Sequence, residues 1–202
     1  MSLSVYEIPK PASEEDVTKF TEIRLSALST NPEAFGSTYV GESGFTPDQW
    51  VARVNTSGRK IFIAIDKDKW IGTLSALYPD MLIGGPKPIP YPPEISAAEE
   101  RGDLDILIIV GMWVRPGYRK RGVAQMLVEH TLETVRRSPT NRSDTETGPV
   151  DKPKPRKRAI LLRVYNNNGA AQSLYEKNGF RKNADGEEIV SSDQIWMVYI
   201  AE

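Results

Sequence analysis

The chain has 202 residues, 26% charged and 39% hydrophobic, and a formal net charge of −1. That length suffices for one domain with a sizeable core, and the balanced charge supplies no overall field for nucleic acid or a membrane surface. The absence of cysteine and the single histidine exclude disulfides, thiolate metal sites and a cysteine nucleophile, and argue against a histidine metal cluster or a Ser-His-Asp triad with a spare base.

No apolar run approaches the length of a membrane span, and residues 1–11 lack the basic start and apolar centre of a signal peptide. The expectation is a soluble, cytoplasmic protein with no membrane partner. In chain order, residues 3–8 read as a first strand, closed by Pro9 and Pro11. Ser13 with Asp16 three positions on is a capping-box start. Val17, Phe20, Ile23, Arg24, Ala27 and Leu28 then follow helical spacing up to Asn31-Pro32. Residues 33–44 carry no sustained pattern and read as short-lived structure at best. Thr46-Pro47 opens a second helix through Trp50 and Val54 to Asn55. Residues 60–65 and 70–78 read as a hairpin turning at 66–69. Residues 80–102 hold Gly84-Gly85 and five prolines and read as a long loop without helix or strand.

Residues 104–114 form a nearly continuous apolar run, as expected of a strand buried on both faces. Gly111 and Pro116 fit a bulge and a strand end. A turn of Pro, Gly, Arg and Lys follows, and Gly122 opens a helix with Ala124, Leu127, Val128, Leu132 and Val135 on one stripe. On that wheel His130 faces solvent. A strand that stops at a basic glycine turn and restarts as a helix is an anion cradle, because the helix N-terminus carries unpaired N–H groups and about half a positive charge. Residues 138–155 are polar and proline-rich, with the composition of a mobile insertion. Residues 159–164 return to strand. Asn166-Asn167-Asn168 introduces a helix over 169–177 that stops at Gly179, and 180–183 and 195–200 make the last strands. The order β-α-α-β-β-β-α-β-α-β-β gives one mixed α/β domain over 1–202, with loop insertions at 80–103 and 138–157.

Two nucleotide motifs fail on this cradle. Gly117 to Gly122 has P-loop spacing, but Val123 and Ala124 stand where Lys and Ser or Thr are required. A dinucleotide fingerprint needs a third glycine and a place near the first strand. What fits is Arg119-Lys120-Arg121-Gly122-Val123-Ala124. It resembles the R/Q-x-x-G-x-G/A signature of the GNAT superfamily of acyl-CoA-dependent N-acyltransferases. Downstream, Asn168-x-x-Ala171-x-x-Leu174-Tyr175-Glu176-Lys177-Asn178-Gly179-Phe180 resembles the later helix and following strand of that family. The Asn31-Pro32-Glu33-Ala34-Phe35-Gly36 segment resembles its variable N-terminal half.

The resemblance implies an α/β (α+β) fold with a mixed, centrally splayed sheet of about seven strands flanked by helices. It implies acetyl-CoA as cosubstrate, with no metal. The backbone from Arg121 through Gly122, Val123 and Ala124 to Gln125 would wrap the pyrophosphate, with Arg119, Lys120 and Arg121 adding charge. Val114 would pair with the pantetheine arm as a strand edge, and the Met112 N–H would face the thioester carbonyl. Asn168 would contact the arm. Tyr175, two helical turns on, would be the general acid at the leaving thiolate, its ordinary pKa near 10 suiting that task.

The base is not legible. Where the histone-type branch of the family places a glutamate on the fourth strand, this chain has Ile108. Asp103 and Asp105 come too early in that strand, and Glu33, Tyr39 and Glu42 read as surface residues of the acceptor side. The expected activity is acetyl transfer to a primary amine, on a small molecule or a protein, by direct attack in a ternary complex. The alternative is a non-catalytic acyl-CoA sensor or scaffold. The basic stretch 152–158 reads as a solvated loop entering a strand, with a nuclear address as the competing reading. A nucleic-acid partner is not expected, and the protein is expected to be a monomer or homodimer.

Overall fold

The computed structural model describes residues 3–78, 91–137, 156–183 and 193–201. It orders them as β1 (Leu3–Glu7), α1 (Glu14–Thr30), α2 (Tyr39–Ser43), α3 (Pro47–Asn55), β2 (Lys60–Asp66), β3 (Lys69–Leu77), α4 (Pro93–Glu100), β4 (Leu104–Val114), α5 (Val123–Arg137), β5 (Lys157–Tyr165), α6 (Gly169–Lys177), β6 (Arg181–Asn183) and β7 (Gln194–Ala201). The strands form one sheet in the order β1-β2-β3-β4-β5-β7-β6. Every neighbouring pair is antiparallel except β4 and β5. The mixed α/β fold with a seven-stranded sheet is the one the sequence implies.

Alternation along the strands assigns the faces. Phe62, Ala64, Ile71, Leu107 and Ile109 join Leu127, Val128, Leu132 and Val135 of α5 in one core. Ile61, Ile63, Trp70 and Trp113 face the other way and pack with Phe20, Ile23 and Ala27 of α1 and Trp50 and Val54 of α3. Further along that second face Ile106, Ile108, Leu161 and Trp196 pack with Ile95 of α4. β4 therefore lies under helices on both sides, which explains its continuous apolar run. The capping boxes at Ser13 and Thr46 both form.

Three expectations change. Residues 80–102 are not all loop, since Pro93–Glu100 is a helix held by one buried anchor, Ile95. Pro93 at its first position suits a helix start. Residues 33–44 contain α2, capped by Thr38. His130 does not face solvent alone: it is half-buried, its ring 5.6 Å from that of Phe62, edge to face. Residues 79–90 and 138–155, which hold under half of the first expected insertion and most of the second, lie outside the described residues, and so does most of the basic stretch 152–158. Its described end enters β5 as Lys157 and Arg158, and Arg158 is buried and bonded to the Val135 carbonyl.

Candidate active site

The site begins with a defect in β4. Thr73 pairs with Trp113, but Ser75 pairs with Val110. Gly111 and Met112 thus lie together opposite Leu74, a β-bulge of two residues against one. Gly111 has φ +65°, a conformation that disfavours any residue with a Cβ. On the other edge, β4 pairs with β5 only from Leu104↔Lys157 to Ile108↔Leu161. Beyond Ile108 the strands part, and β5 continues to Tyr165 with β7 as its partner. The result is a wedge between residues 109–114 of β4 and 162–165 of β5. Backbone groups along a parted edge lack their strand partners and seek others.

At the mouth of the wedge the chain turns through residues 115–122 into α5. Lys120 and Gly122 both have positive φ, 59° and 78°. The first intrahelical bond of α5 runs from Met126 N–H to the Gly122 carbonyl at 2.9 Å. The N–H groups of Val123, Ala124 and Gln125 precede it and have no partner within the helix. A Cβ placed on Gly122 would meet nothing within 4 Å. The cradle is open, basic and lined by donors, as an anion requires.

The three basic residues of the turn are not equivalent. Arg119 is exposed but tied back to the chain: its Nε donates to the Val114 carbonyl at 3.0 Å and its Nη2 to Asn31 Oδ1 at 2.5 Å. Asn31 Oδ1 also accepts from Trp113 Nε1 at 3.1 Å. One side-chain oxygen at the end of α1 therefore ties β4 to the turn. Lys120 and Arg121 are exposed, and the Arg121 guanidinium lies 5.8 Å from the Tyr118 ring.

Asn168 is exposed and caps α6, accepting from the Ala171 N–H at 3.1 Å. Tyr175 is 6% exposed and packs edge to face on Phe180, with ring centroids 5.5 Å apart. Burial pushes its hydroxyl well above the ordinary tyrosine range, because the charged phenolate loses hydration. That moves the phenol away from a thiol's value of about 8.5 rather than toward it.

The base candidates sort clearly. Ile108 is buried on β4. Asp105 lies at the far end of that strand, six residues and about 20 Å before Gly111, and pairs with Arg156 at 3.7 Å. Asp103 precedes β4 and pairs with Arg101 at 3.0 Å. Glu33 is exposed, and Tyr39 is 45% exposed. Glu42 is not a surface residue: it is 3% exposed and receives Arg24 Nε at 2.8 Å and Nη2 at 2.7 Å. Arg53 adds a third contact at 3.1 Å. Burial alone would raise this carboxyl, but the bonds and charges of Arg24 and Arg53, with a bond from Ser37, outweigh it and hold the pKa below the usual range. A carboxylate so pinned is a poor proton acceptor.

Sequence reasoning missed Asn31 as a tie, Glu42 as a buried partner, and a reciprocal amide pair between Gln125 and Asn178. One signal was present. Arg24 stands on the apolar stripe of α1, where a charge needs a buried counterpart. Among the described residues no cluster of three or more His, Asp or Glu is arranged to hold a metal ion, and no helix is long and apolar enough to cross a membrane.

The wedge between two parallel strands opens onto a glycine turn and a helix N-terminus, which makes a mixed α/β fold with an anion cradle at one end of its sheet. The sequence pattern of the acetyltransferase (GNAT) domain matches residues 57–182. The chain belongs to the GNAT acetyltransferase family. An acetyltransferase of that family from Streptococcus pneumoniae superposes with a TM-score of 0.62 at 18% identity, covering 100% of both chains. Arabidopsis thaliana NAA60 in complex with a bisubstrate analogue gives a TM-score of 0.57 at 17% identity, over 98% of this chain and 100% of its own. The PaiA N-acetyltransferase from Thermoplasma acidophilum in complex with coenzyme A gives 0.58 at 14%, over 100% of both. At such identities the likeness speaks for the fold. No curated protein matches the chain.

Proposed function

We propose that the protein is an N-acetyltransferase that moves an acetyl group from acetyl-CoA to a primary amine by direct attack in a ternary complex. The observation that carries this is the continuity of the β4–β5 wedge with the open, positive-φ turn at Gly122. The residues present fit the cosubstrate. N–H groups at residues 122–125, with Lys120 and Arg121, suit a pyrophosphate, and the parted edge of β4 suits a peptide-like arm that adds as a strand. Relatives of the same fold were solved with acetyl-CoA or coenzyme A.

When bound, acetyl-CoA supplies an acyl group activated as a thioester. The chain does the rest by placing donors. The N–H of Met112, at the bulge, donates to the carbonyl oxygen as negative charge develops there. Val114 holds the arm through its backbone, while Arg119 fixes the Val114 carbonyl and the shape of the turn. Asn168 sits at the head of α6, where it caps the helix beside the arm. Tyr175 keeps its proton at neutral pH and donates a hydrogen bond from Oη to the departing sulfur. With its pKa raised, this donor stabilises the thiolate without surrendering the proton completely. No carboxylate is free to serve as base in the wedge among the described residues, so the neutral amine that attacks passes its proton to water as the C–N bond forms and the C–S bond breaks, and coenzyme A leaves as the thiolate.

The test is thiol release from acetyl-CoA against an amine panel, with binding followed by thermal shift. Release that requires an amine supports the transferase. Tight binding of acetyl-CoA with no release on any amine overturns it in favour of a sensor, the reading that the isoleucine at position 108 would then explain.

A further inference from the structure

The second face of the sheet carries a buried polar cluster. Arg24, Glu42, Thr73 and Ser75 are all buried, at 7%, 3%, 2% and 6% exposure. Thr73 and Ser75 are cross-strand partners of Trp113 and Val110 and of Ile63 and Ile61, so their hydroxyls lie on the α1 side of the sheet, flanking the bulge. Arg24 gives Glu42 two of its three guanidinium nitrogens. Phe35 covers the guanidinium at 5.0 Å from its ring centroid. The remaining nitrogen, Nη1, has no hydrogen-bond partner among the described residues, and it lies 3.6 Å from where a Cβ on Gly111 would stand. A side chain at 111 would occupy the space in front of Nη1. The glycine that permits the bulge thus lies against that donor with no Cβ between them.

The charge around it does not cancel. Arg53 contacts the same Glu42 oxygen as Arg24, and Arg59 bonds to the Arg53 carbonyl at 3.3 Å. Two guanidinium groups contact one carboxylate, and a third lies beside them. The Nε atoms of Arg53 and Arg59 are buried without a partner. Such an excess of buried positive charge repels a cationic acceptor and attracts an anionic group. Guanidinium presents paired donors that match a carboxylate.

We propose that Arg24 is an acceptor-binding residue, and that the amine acetylated here carries a carboxylate held by Arg24 Nη1 beside the Gly111–Met112 bulge. This rests on the transferase reading and adds the acceptor's class to it. The positive cluster also favours the neutral amine that attack needs, since a nearby like charge disfavours the ammonium form.

The experiment compares matched acceptors on the full chain with saturating acetyl-CoA: alanine, alanine methyl ester and ethylamine, followed by thiol release. The ester's amine loses its proton more readily than that of the acid, so a preference for the acid isolates recognition from reactivity. The expected kcat/KM for alanine exceeds that for the ester by about 10- to 100-fold, the range for a hydrogen bond to a charged group. Arg24→Lys keeps a cation for Glu42 but loses the planar fork. It is expected to bring the ratio of kcat/KM for alanine to that for the ester down to about one, a ratio that a general loss of activity leaves unchanged. A dipeptide with aspartate second distinguishes a peptide carboxylate from that of a free amino acid, and the better acceptor names the source. Stabilisation of the coenzyme A-saturated chain by alanine but not by its ester reads the same site without turnover. A chain that releases no thiol therefore still tests Arg24, whereas the transferase reading fails separately. Equal rates and equal stabilisation for acid and ester overturn the assignment.

Discussion

Gln125 and Asn178 exchange their amides across two helices: Asn178 Nδ2 donates to Gln125 Oε1 at 3.0 Å, and Gln125 Nε2 donates to Asn178 Oδ1 at 3.2 Å. Gln125 lies in the first turn of α5, at the cradle, and Asn178 caps the C-terminus of α6, three residues after Tyr175. The two elements proposed to hold the phosphates and the sulfur end of the cosubstrate are thus joined by one pair of side chains. Asn178 Nδ2 also donates to the Leu174 carbonyl at 2.8 Å, so the single substitution Asn178→Ala loses more than the pair. The cycle of Gln125→Ala, Asn178→Ala and the double variant removes that excess. A coupling of about 1 kcal/mol is expected from chemical denaturation. A cycle that closes to zero would mean that α5 and α6 communicate through the apolar core alone.

The second prediction concerns Gly122. Its φ of +78° costs a residue with a Cβ about 1–2 kcal/mol, but the space beyond it is open. Gly122→Glu should therefore fold with a modestly lowered Tm and lose all stabilisation by acetyl-CoA, because a carboxylate then stands where the pyrophosphate is expected. Wild-type-like binding by this variant would remove the cradle from the proposal.

What could be read from the sequence, and what could not, divides by the range of the interaction. β4 is legible to the residue because its apolar run is nearly continuous, and α3 and α6 because Thr46 and Asn168 mark their starts. α4 escaped because a helix with one buried anchor shows no period, and prolines precede it. α2, with five residues, is too short for a period to exist. Arg24 stood visibly on an apolar stripe, yet its partner lies 18 residues away, in a segment without pattern. His130 was misplaced for a related reason. A helical wheel locates the centre of the buried stripe, but its edges depend on how far the sheet reaches around the helix, and here Phe62 of β2 reaches it. Most of the second expected insertion, and under half of the first, lies outside the described residues.

Tyr175 offers a prediction with two readouts. Tyr175→Phe should lower kcat more than it weakens acetyl-CoA binding, since the hydroxyl is proposed to act on the departing sulfur. Unchanged kcat would mean that another group stabilises the thiolate. The second readout is linkage. Burial raises the folded-state pKa of this phenol above its unfolded value of about 10. Its contribution to stability is therefore full below about pH 10 and is lost as pH rises from there toward the folded value. The wild type should lose Tm above pH 10 more steeply than Tyr175→Phe, which has no such proton to lose. Parallel curves would place the hydroxyl in contact with water.

The buried ion pair of α1 and α2 has the opposite sign. Arg24 and Arg53 hold the Glu42 carboxyl below its ordinary range of about 4.3 despite its burial. A depressed folded-state pKa gives stability that is present above the unfolded value and is lost as pH falls through the folded one. Acid unfolding should therefore steepen below about pH 4. Glu42→Gln leaves Arg24 buried against a neutral amide and should cost about 3–5 kcal/mol, the range for breaking a buried pair from one side. Arg24→Met with Glu42→Leu removes both charges of the fully buried pair and should restore most of that loss, because an apolar pair of similar volume avoids the desolvation penalty and Arg53, which also loses its carboxylate, is 26% exposed and can turn to water. The two variants separate structure from recognition. If the ion pair exists only to hold α2 on α1, the double variant keeps both its Tm and its preference for a carboxylate-bearing amine. If Arg24 also receives the acceptor, the double variant keeps its Tm and acetylates alanine and its methyl ester without preference, which thermal shift and thiol release measure on one preparation.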